Sequence, residues 1–196
     1  MTTGETLIEG DALNTLGDAE LGIKYGTVTD KKIALAGTTL LGLPFGKDNG
    51  NLDNWLQTGD KEFNVLLKMD AGTSFGTEKI AAYANLGIGF NARTRGFSHE
   101  FRYTAEIGAG FLNKKLWAVL KLNAIESLKN GDLAFNPGSA SSIFANNTEF
   151  TSPSIEVAYY ITDKIGVSAA YATALRGELI YAAPSYSFGV FYDMKK

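Results

Sequence analysis

The chain has 196 residues, a length that fits a single domain spanning residues 1–196. Hydrophobic residues make up 45% and charged residues 20%, which excludes a disordered or fibrous chain. A formal net charge of -3 provides no basic surface, so nucleic acid is not expected as a partner. Because there are no cysteines and one histidine, we expect no disulfide, no cofactor and no metal site.

Alternation of apolar and polar residues predicts nine β-strands. In chain order they cover residues 18–26, 32–43, 63–75, 80–93, 100–112, 115–127, 151–161, 164–174 and 185–193. The clearest alternation lies in residues 100–112, where apolar residues at odd positions alternate with Glu100, Arg102 and Glu106. A helix would scatter these residues around its circumference, so the pattern indicates a strand.

The lengths of the strands and of their connections predict that they cross a membrane. Several strands have 11 to 14 residues, whereas soluble strands average about 5 or 6 and a tilted strand crosses a bilayer with about 9 to 11. Short turns near residues 29–30, 76–78, 113–114 and 162–163 alternate with longer connections at 44–61, 92–99, 127–148 and 175–184. This alternation is typical of an all-β, antiparallel, up-and-down transmembrane β-barrel of a Gram-negative bacterium.

The number of strands in the complete barrel is expected to be ten to twelve. Bacterial barrels have an even number of strands, so nine strands require at least one more before Asp18. The segment Thr3 to Gly10 is the candidate in this chain, although its alternation is poor. Residues 1–17 are therefore interpreted as a weak first strand or as the remnant of upstream strands.

The apolar side of each strand is expected to face lipid, and the polar side to face the lumen. The predicted lumen-facing polar network consists of Glu20, Lys24, Lys68, Asp70, Arg93, Glu100, Arg102, Glu106, Lys121 and Glu156. These charges should pair across strands because an isolated buried ion costs several kcal/mol. The network is interpreted either as a polar path for ligands or as structural filling of the barrel.

Two groups of residues near the strand ends bear on more specific roles, namely contact with the membrane interface and catalysis. Aromatic residues are expected to form interfacial girdles; they are Phe75, Phe90, Phe111, Trp117, Tyr159 and Tyr192. The adjacent Ser98, His99 and Glu100 do not form a catalytic triad by themselves, since neighbours in a strand point to opposite faces. The sequence therefore predicts a loop histidine, no catalytic residues and no enzyme.

Three long segments resemble a known family of outer-membrane barrels. The segments are LGDAELGIKYGTVTDKKIALAGTTLLGLPFG, LQTGDKEFNVLLKMDAGTSFG and GFSHEFRYTAEIGAGFLNKKLWAVLKLNAIESLKNG. They are similar to putative transporters associated with meta-pathway phenol degradation, including members from Bacteroidetes-type bacteria. The resemblance implies residence in the bacterial outer membrane and passive, porin-like transport of small, often hydrophobic molecules. In that family, further strands precede the segment that begins at Leu16.

The functional hypothesis is an outer-membrane channel or binding protein for small molecules, with the lipid bilayer around it. One alternative is a structural barrel with a plugged lumen in an envelope complex; the other is a soluble lipocalin-like barrel. Apolar residues such as Trp55 and Phe144 in loops 44–61 and 127–148 suggest either packing onto the barrel mouth or contacts with envelope proteins.

Overall fold

The structure is a computed structural model that describes residues 13–29, 31–48, 57–77, 80–132, 144–181 and 183–194. Ten β-strands form in this part of the chain. They are β1 (Ala19–Val28), β2 (Ile33–Leu43), β3 (Asn64–Gly76), β4 (Ala81–Arg93), β5 (Glu100–Phe111), β6 (Leu116–Ser127), β7 (Glu149–Tyr160), β8 (Ile165–Ala172), β9 (Arg176–Glu178) and β10 (Ser185–Tyr192). Among the described residues, no helix is long and apolar enough to cross a membrane.

All strands belong to one antiparallel sheet in which sequence neighbours pair. The order is β1-β2-β3-β4-β5-β6-β7-β8-β10, and the short β9 pairs with the start of β7. The predicted all-β, up-and-down class is confirmed, and the nine long strands match the nine predicted ones. Strand β9 was not predicted, because its three residues are too few for an alternating pattern. The predicted first strand, Thr3 to Gly10, lies outside the described residues.

The connections alternate between two ends of the sheet. Short turns join β1 to β2, β3 to β4, β5 to β6 and β7 to β8, and we call that side the turn end. The longer connections lie at the opposite side, the loop end. Because the path through the sheet holds nine antiparallel strands, the edge strands β1 and β10 run in the same direction. Antiparallel closure of the barrel therefore requires an odd number of strands between these edges.

The sheet has an apolar face and a polar face, and their burial is the reverse of that in a soluble protein. The apolar face is exposed, and the polar face is buried. The apolar face carries large exposed side chains such as Leu67, Ile88 and Phe188, the last of which is 85% exposed. The polar face buries Asp70, Glu100 and Asn91, the last of which is 1% exposed. A soluble lipocalin-like barrel would bury its apolar face instead. This inversion is that of a barrel whose outside contacts lipid.

Most of the predicted girdle residues lie on the apolar face, but Trp117 does not. Phe75, Phe90, Phe111, Tyr159 and Tyr192 are all exposed. The register places Trp117 opposite Gly110, on the face of Glu106 and Lys121, so its assignment to a girdle was wrong. The reason is space: a Cβ atom on Gly110 would lie 2.9 Å from the indole ring, so the glycine makes room for it.

Candidate functional site

Ionic and hydroxyl side chains on the polar face form three layers between the loop end and the turn end. The loop-end layer contains Asp60, Glu62, Arg93, Glu100 and Arg102. The middle layer contains Lys24, Lys68 and Asp70. The turn-end layer contains Tyr83, Glu106, Lys121 and Glu156. Strand alternation and antiparallel register bring these residues to one face although they are distant in sequence.

Arg93, the last residue of β4, is the centre of the loop-end layer. Its Nε atom lies 2.8 Å from both carboxylate oxygens of Glu62, and its Nη2 atom also donates to that carboxylate. Its Nη1 atom donates to Glu100 at 2.7 Å. The guanidinium group also stacks on Phe97 at 4.4 Å from the ring centroid. A planar group with five donors suits this arrangement of two carboxylates and one aromatic ring.

The segment before β3 places Asp60 and Glu62 beside Arg93. The Oδ1 atom of Asp60 accepts a hydrogen bond from the Glu62 backbone N–H at 2.9 Å, and Lys61 between them has a left-handed φ of 60°. Such a local side-chain-to-backbone bond is common for aspartate in turns. Asp18 holds the same segment by accepting from the backbone N–H groups of Gly46 and Asp60 at 2.8 and 3.2 Å.

Glu100 joins Arg93 to Arg102 and is itself buried. Its Oε2 atom accepts from the Nη2 and Nε atoms of Arg102 at 2.7 and 3.0 Å. The side-chain amide of Asn91, directly opposite on β4, also donates to Oε2 at 3.1 Å. Glu100 thus receives hydrogen bonds from three side chains, which compensates for its removal from water.

The carboxyl groups of Asp60 and Glu62 have raised pKa values. For both groups the main cause is burial, which disfavours the charged form. Asp18 adds to the increase in the pKa of Asp60, whereas hydrogen bonds from Arg93 oppose the increase in the pKa of Glu62. The nearest guanidinium nitrogen to Asp60 is Nη2 of Arg93 at 3.8 Å, longer than a hydrogen bond. The negative charge of Asp60 is therefore the least compensated of the layer.

In the middle layer, two lysines contact one buried aspartate. Lys68 and Lys24 lie 2.9 and 3.1 Å from the two oxygens of Asp70. Gly87 is opposite Asp70, and a Cβ atom there would lie about 2.5 Å from Asp70 Oδ1 and from Thr104 Oγ1. The absence of a side chain at Gly87 therefore leaves the space that the aspartate and the Thr104 hydroxyl occupy.

The turn-end layer combines a tyrosine hydroxyl with a lysine and two glutamates. Tyr83 donates its hydroxyl hydrogen to Glu106, and Lys121 contacts Glu156 at 2.7 Å. Glu106 and Lys121 lie directly opposite each other on β5 and β6. Both Lys121 and Glu156 are partly exposed, so this layer is less buried than the layer around Arg93.

A cavity of about 530 Å³ lies next to the loop-end layer, whose five residues line one wall. The remaining lining is largely apolar and includes Ile125, Phe144, Phe150 and Ile180; we call it the apolar wall. The register places Phe150 opposite Ile125, on the polar face of the sheet, so the cavity opens toward the inside of the barrel. A concave space of several hundred Å³ that combines an apolar wall with convergent charged groups has the size and mixed lining of a small-molecule site.

Buried polar contacts attach the end of loop 127–148 to the neighbouring loop 92–99. The backbone N–H of Ser98 donates to Asn146 Oδ1 at 2.8 Å, and its hydroxyl donates to Asn147 Oδ1 at 2.6 Å. Ser127 also donates to Asn147, at 2.9 Å. These contacts fix the segment that contributes Phe144 and Thr148 to the cavity wall. Trp55, the other apolar loop residue singled out from the sequence, lies outside the described residues.

The side chains of Ser98, His99 and Glu100 are each engaged by residues outside this trio. The Ser98 hydroxyl contacts Asn147, and the carboxylate of Glu100 contacts Arg93 and Arg102. His99 Nδ1 accepts a hydrogen bond from the Arg93 backbone N–H at 3.0 Å, and its ring packs edge-on against Phe90 at 5.6 Å. These contacts give His99 a structural place at the loop end of β4.

The structure places nine of the ten predicted network residues in the three layers. Glu20 is the tenth; it shares a row with Arg93 across Gly42 and Asn64, but it is exposed on edge strand β1. Sequence reasoning missed Asp60, Glu62 and Tyr83. Glu62 was detectable, because it continues the even-numbered polar series of Asn64, Lys68 and Asp70 by one step before the predicted strand. Asp60 reaches the site through a turn, which has no such period.

Comparisons with known proteins identify the fold. No protein-family model matches the chain, and no curated protein matches its sequence. Among solved structures, the chain is similar to OmpTdeltaL8, the loop L8 deletion mutant of OmpT, an outer membrane protein of Vibrio cholerae. The two share 12% sequence identity with a TM-score of 0.55 over 89% of this chain and 53% of the other. The chain thus spans about half the length of this solved barrel.

These findings confirm an outer-membrane β-barrel. An up-and-down antiparallel sheet with an exposed apolar face and loops of unequal length at its two ends is the pattern of outer-membrane barrels, and the similar solved structure is that of an outer membrane protein. The predicted localisation in the bacterial outer membrane, with the bilayer as surroundings, is therefore confirmed. The resemblance to bacterial outer-membrane barrels is confirmed. The narrower resemblance to the phenol-degradation family is not, because no family model matches the chain.

The prediction that the chain is not an enzyme is corrected. It rested on the arrangement of Ser98, His99 and Glu100, but the structural similarity to an outer membrane protein at 12% identity establishes a fold, and a fold does not exclude catalysis. Moreover, buried carboxyl groups with raised pKa values, as at Asp60 and Glu62, are found in catalytic as well as in binding sites. The prediction that the chain is not an enzyme is therefore withdrawn.

Proposed function

We propose that the barrel allows small molecules to cross the outer membrane along its polar face. The observation that carries this proposal is the stacking of the loop-end, middle and turn-end layers on the face opposite to the lipid-exposed one. Rings of charged side chains along a passage are a common means of selecting solutes. The ten network residues, Glu20 included, are proposed to line that passage.

The partial exposure of the middle and turn-end layers supports a wet interior. On the inner strands β6 and β7, the Lys121 and Glu156 side chains are each 33% exposed although they contact each other. Ion pairs in a dry interior pay a large desolvation cost, whereas pairs that keep contact with water pay little. The resemblance of the sequence to putative transporters agrees with passive passage.

Single cysteines test the proposal cleanly, because the chain contains no cysteine. Asn123 is exposed and lies in one row with Asp70, Gly87 and Thr104, while Leu120 on the same strand faces the other side. Wild type should conduct ions in planar bilayers. A charged, membrane-impermeant thiol reagent should reduce the conductance of Asn123→Cys and leave that of Leu120→Cys unchanged.

The results that would contradict the proposal are equally definite. Equal responses of the two variants would mean that the polar face does not line the passage. Complete lack of conductance in a correctly inserted wild-type barrel would favour the alternative of a plugged barrel within an envelope complex.

A further inference from the structure

We infer that the cavity at the loop end binds a small organic cation that carries an apolar group, such as an arylammonium ion. This inference rests on the proposed function and deepens it by naming the class of molecule that the passage recognises. Two features of the cavity select this class: the distribution of charge in the loop-end layer and the chemistry of the apolar wall.

The carboxylates of the layer outnumber its guanidinium groups. Glu62 is engaged by Arg93 through several hydrogen bonds, and Glu100 is engaged by Arg102 and Arg93. Apart from the backbone hydrogen bond to Asp60 Oδ1, the one cationic partner of Asp60 among the described residues is Arg93, at 3.8 Å, and a second carboxylate, that of Asp18, lies beside it. The surplus negative charge of the layer is thus concentrated at Asp60, which lines the cavity.

A cationic ligand would compensate for the loss of hydration of the Asp60 carboxylate in the folded protein. A carboxylate with little contact to water requires a counter-charge, and the burial that raises the pKa of Asp60 reflects this requirement. Both guanidinium groups already have carboxylate partners. An anionic ligand would therefore have to compete with Glu62 or Glu100, whereas a cation would meet Asp60 without displacing either.

The apolar wall of the cavity indicates that the cation carries an aromatic or hydrocarbon group. Phe144, Phe150 and Tyr181 line the cavity together with aliphatic side chains. Aromatic faces attract organic cations, and the surrounding apolar surface favours a hydrocarbon group. The cavity volume of about 530 Å³ accommodates a ligand with one aromatic ring.

The test compares two probes of similar size and opposite charge, phenyltrimethylammonium and benzenesulfonate, by calorimetry in a non-ionic detergent, which carries no ammonium group that could occupy the site. The cation should bind at least about tenfold more tightly than the anion. Asp60→Asn should weaken cation binding by about tenfold or more, because it removes the charge and keeps the shape. The control Asp48→Asn removes a carboxylate at the same end that contacts Arg95 at 3.9 Å and does not line the cavity, so the affinity should stay unchanged.

Preferential binding of benzenesulfonate, or wild-type affinity in Asp60→Asn, would overturn the inference. If Asp60→Asn does not fold, as judged by circular dichroism, Phe150→Leu takes its place and should weaken binding of the aromatic cation severalfold; unchanged affinity would again overturn the inference. Conductance is measured separately. Binding without conductance would refute passage and keep the cation site, whereas conductance without binding would refute the site alone.

Discussion

Replacement of Leu120 by arginine tests which face of the sheet contacts lipid. Leu120 lies on β6 and is 56% exposed, and its cross-strand neighbours Ile107 and Ile155 are exposed as well. It lies four residues beyond Leu116, the first residue of the strand at the turn end. At about 3.4 Å per residue and a tilt of about 40°, this separation is roughly 10 Å along the membrane normal. Leu120 is therefore close to the middle of an apolar band about 25 Å tall.

The expected cost of Leu120→Arg is about 2 to 4 kcal/mol of unfolding free energy, the range for arginine at the midplane of a barrel. The matched control is Leu116→Arg on the same strand and face, where the interface reduces the cost to about 0 to 1 kcal/mol. Reversible urea unfolding in lipid vesicles measures both values. Equal stability of the two variants would refute the assignment of the apolar face to lipid, as would a wild-type barrel that is stable and monomeric without detergent.

Three further predictions concern the polar face and its loop end. Arg93→Met should cost about 3 to 5 kcal/mol because it leaves two buried carboxylates without their main partner, while Arg95→Met, at an exposed pair, should cost at most about 1 kcal/mol in the same urea assay. Gly87→Ala should cost about 1 to 3 kcal/mol because its Cβ atom would collide with Asp70 and Thr104, whereas Gly37→Ala has open space and should be tolerated. Because burial raises the pKa of Asp60, the folded protein keeps this proton at pH values where the unfolded chain has lost it. Stability should therefore increase on acidification from neutral pH through the raised pKa toward the ordinary carboxyl range, and Asp60→Asn should reduce that increase to the part that Glu62, whose pKa is also raised, contributes in unfolding experiments at several pH values.

The long strands were predictable because one face of each strand is apolar and the other is polar. A shift by one residue would move Phe101 and Ile107 to the polar face, so the pattern fixes register as well as strand identity. Strand β9 escaped prediction because its pairing with Glu149–Thr151 depends on the path of a loop. The orientation of Trp117 was misjudged because proximity to a strand end does not determine the face, whereas parity along β6 does.

The candidate site was predictable only where strands form it. Arg93, Glu100 and Arg102 follow the period of two and reach the loop-end layer as expected. Asp60 reaches the layer because its side chain accepts a hydrogen bond from the Glu62 backbone N–H and so stabilises a turn before β3. Tyr181 lines the cavity from the connection between β9 and β10, which has no alternating pattern. An alternating sequence pattern identifies strands and their faces. It does not show which loops meet at a cavity, because that depends on tertiary contacts such as those of Asn147 with Ser98 and Ser127.

The burial of the charged layers changes along the polar face, and this change predicts where the proposed passage would discriminate between solutes. At the loop end, the Arg93 side chain is 9% exposed and that of Glu62 is 1% exposed. At the turn end, the Lys121 and Glu156 side chains are each 33% exposed. Charges act over longer distances and more strongly where water is excluded. In the proposed passage a solute would meet the strongest field beside Asp60 and Arg93, at the side of the long loops, and a charge removed there should alter selectivity more than one removed at Lys121.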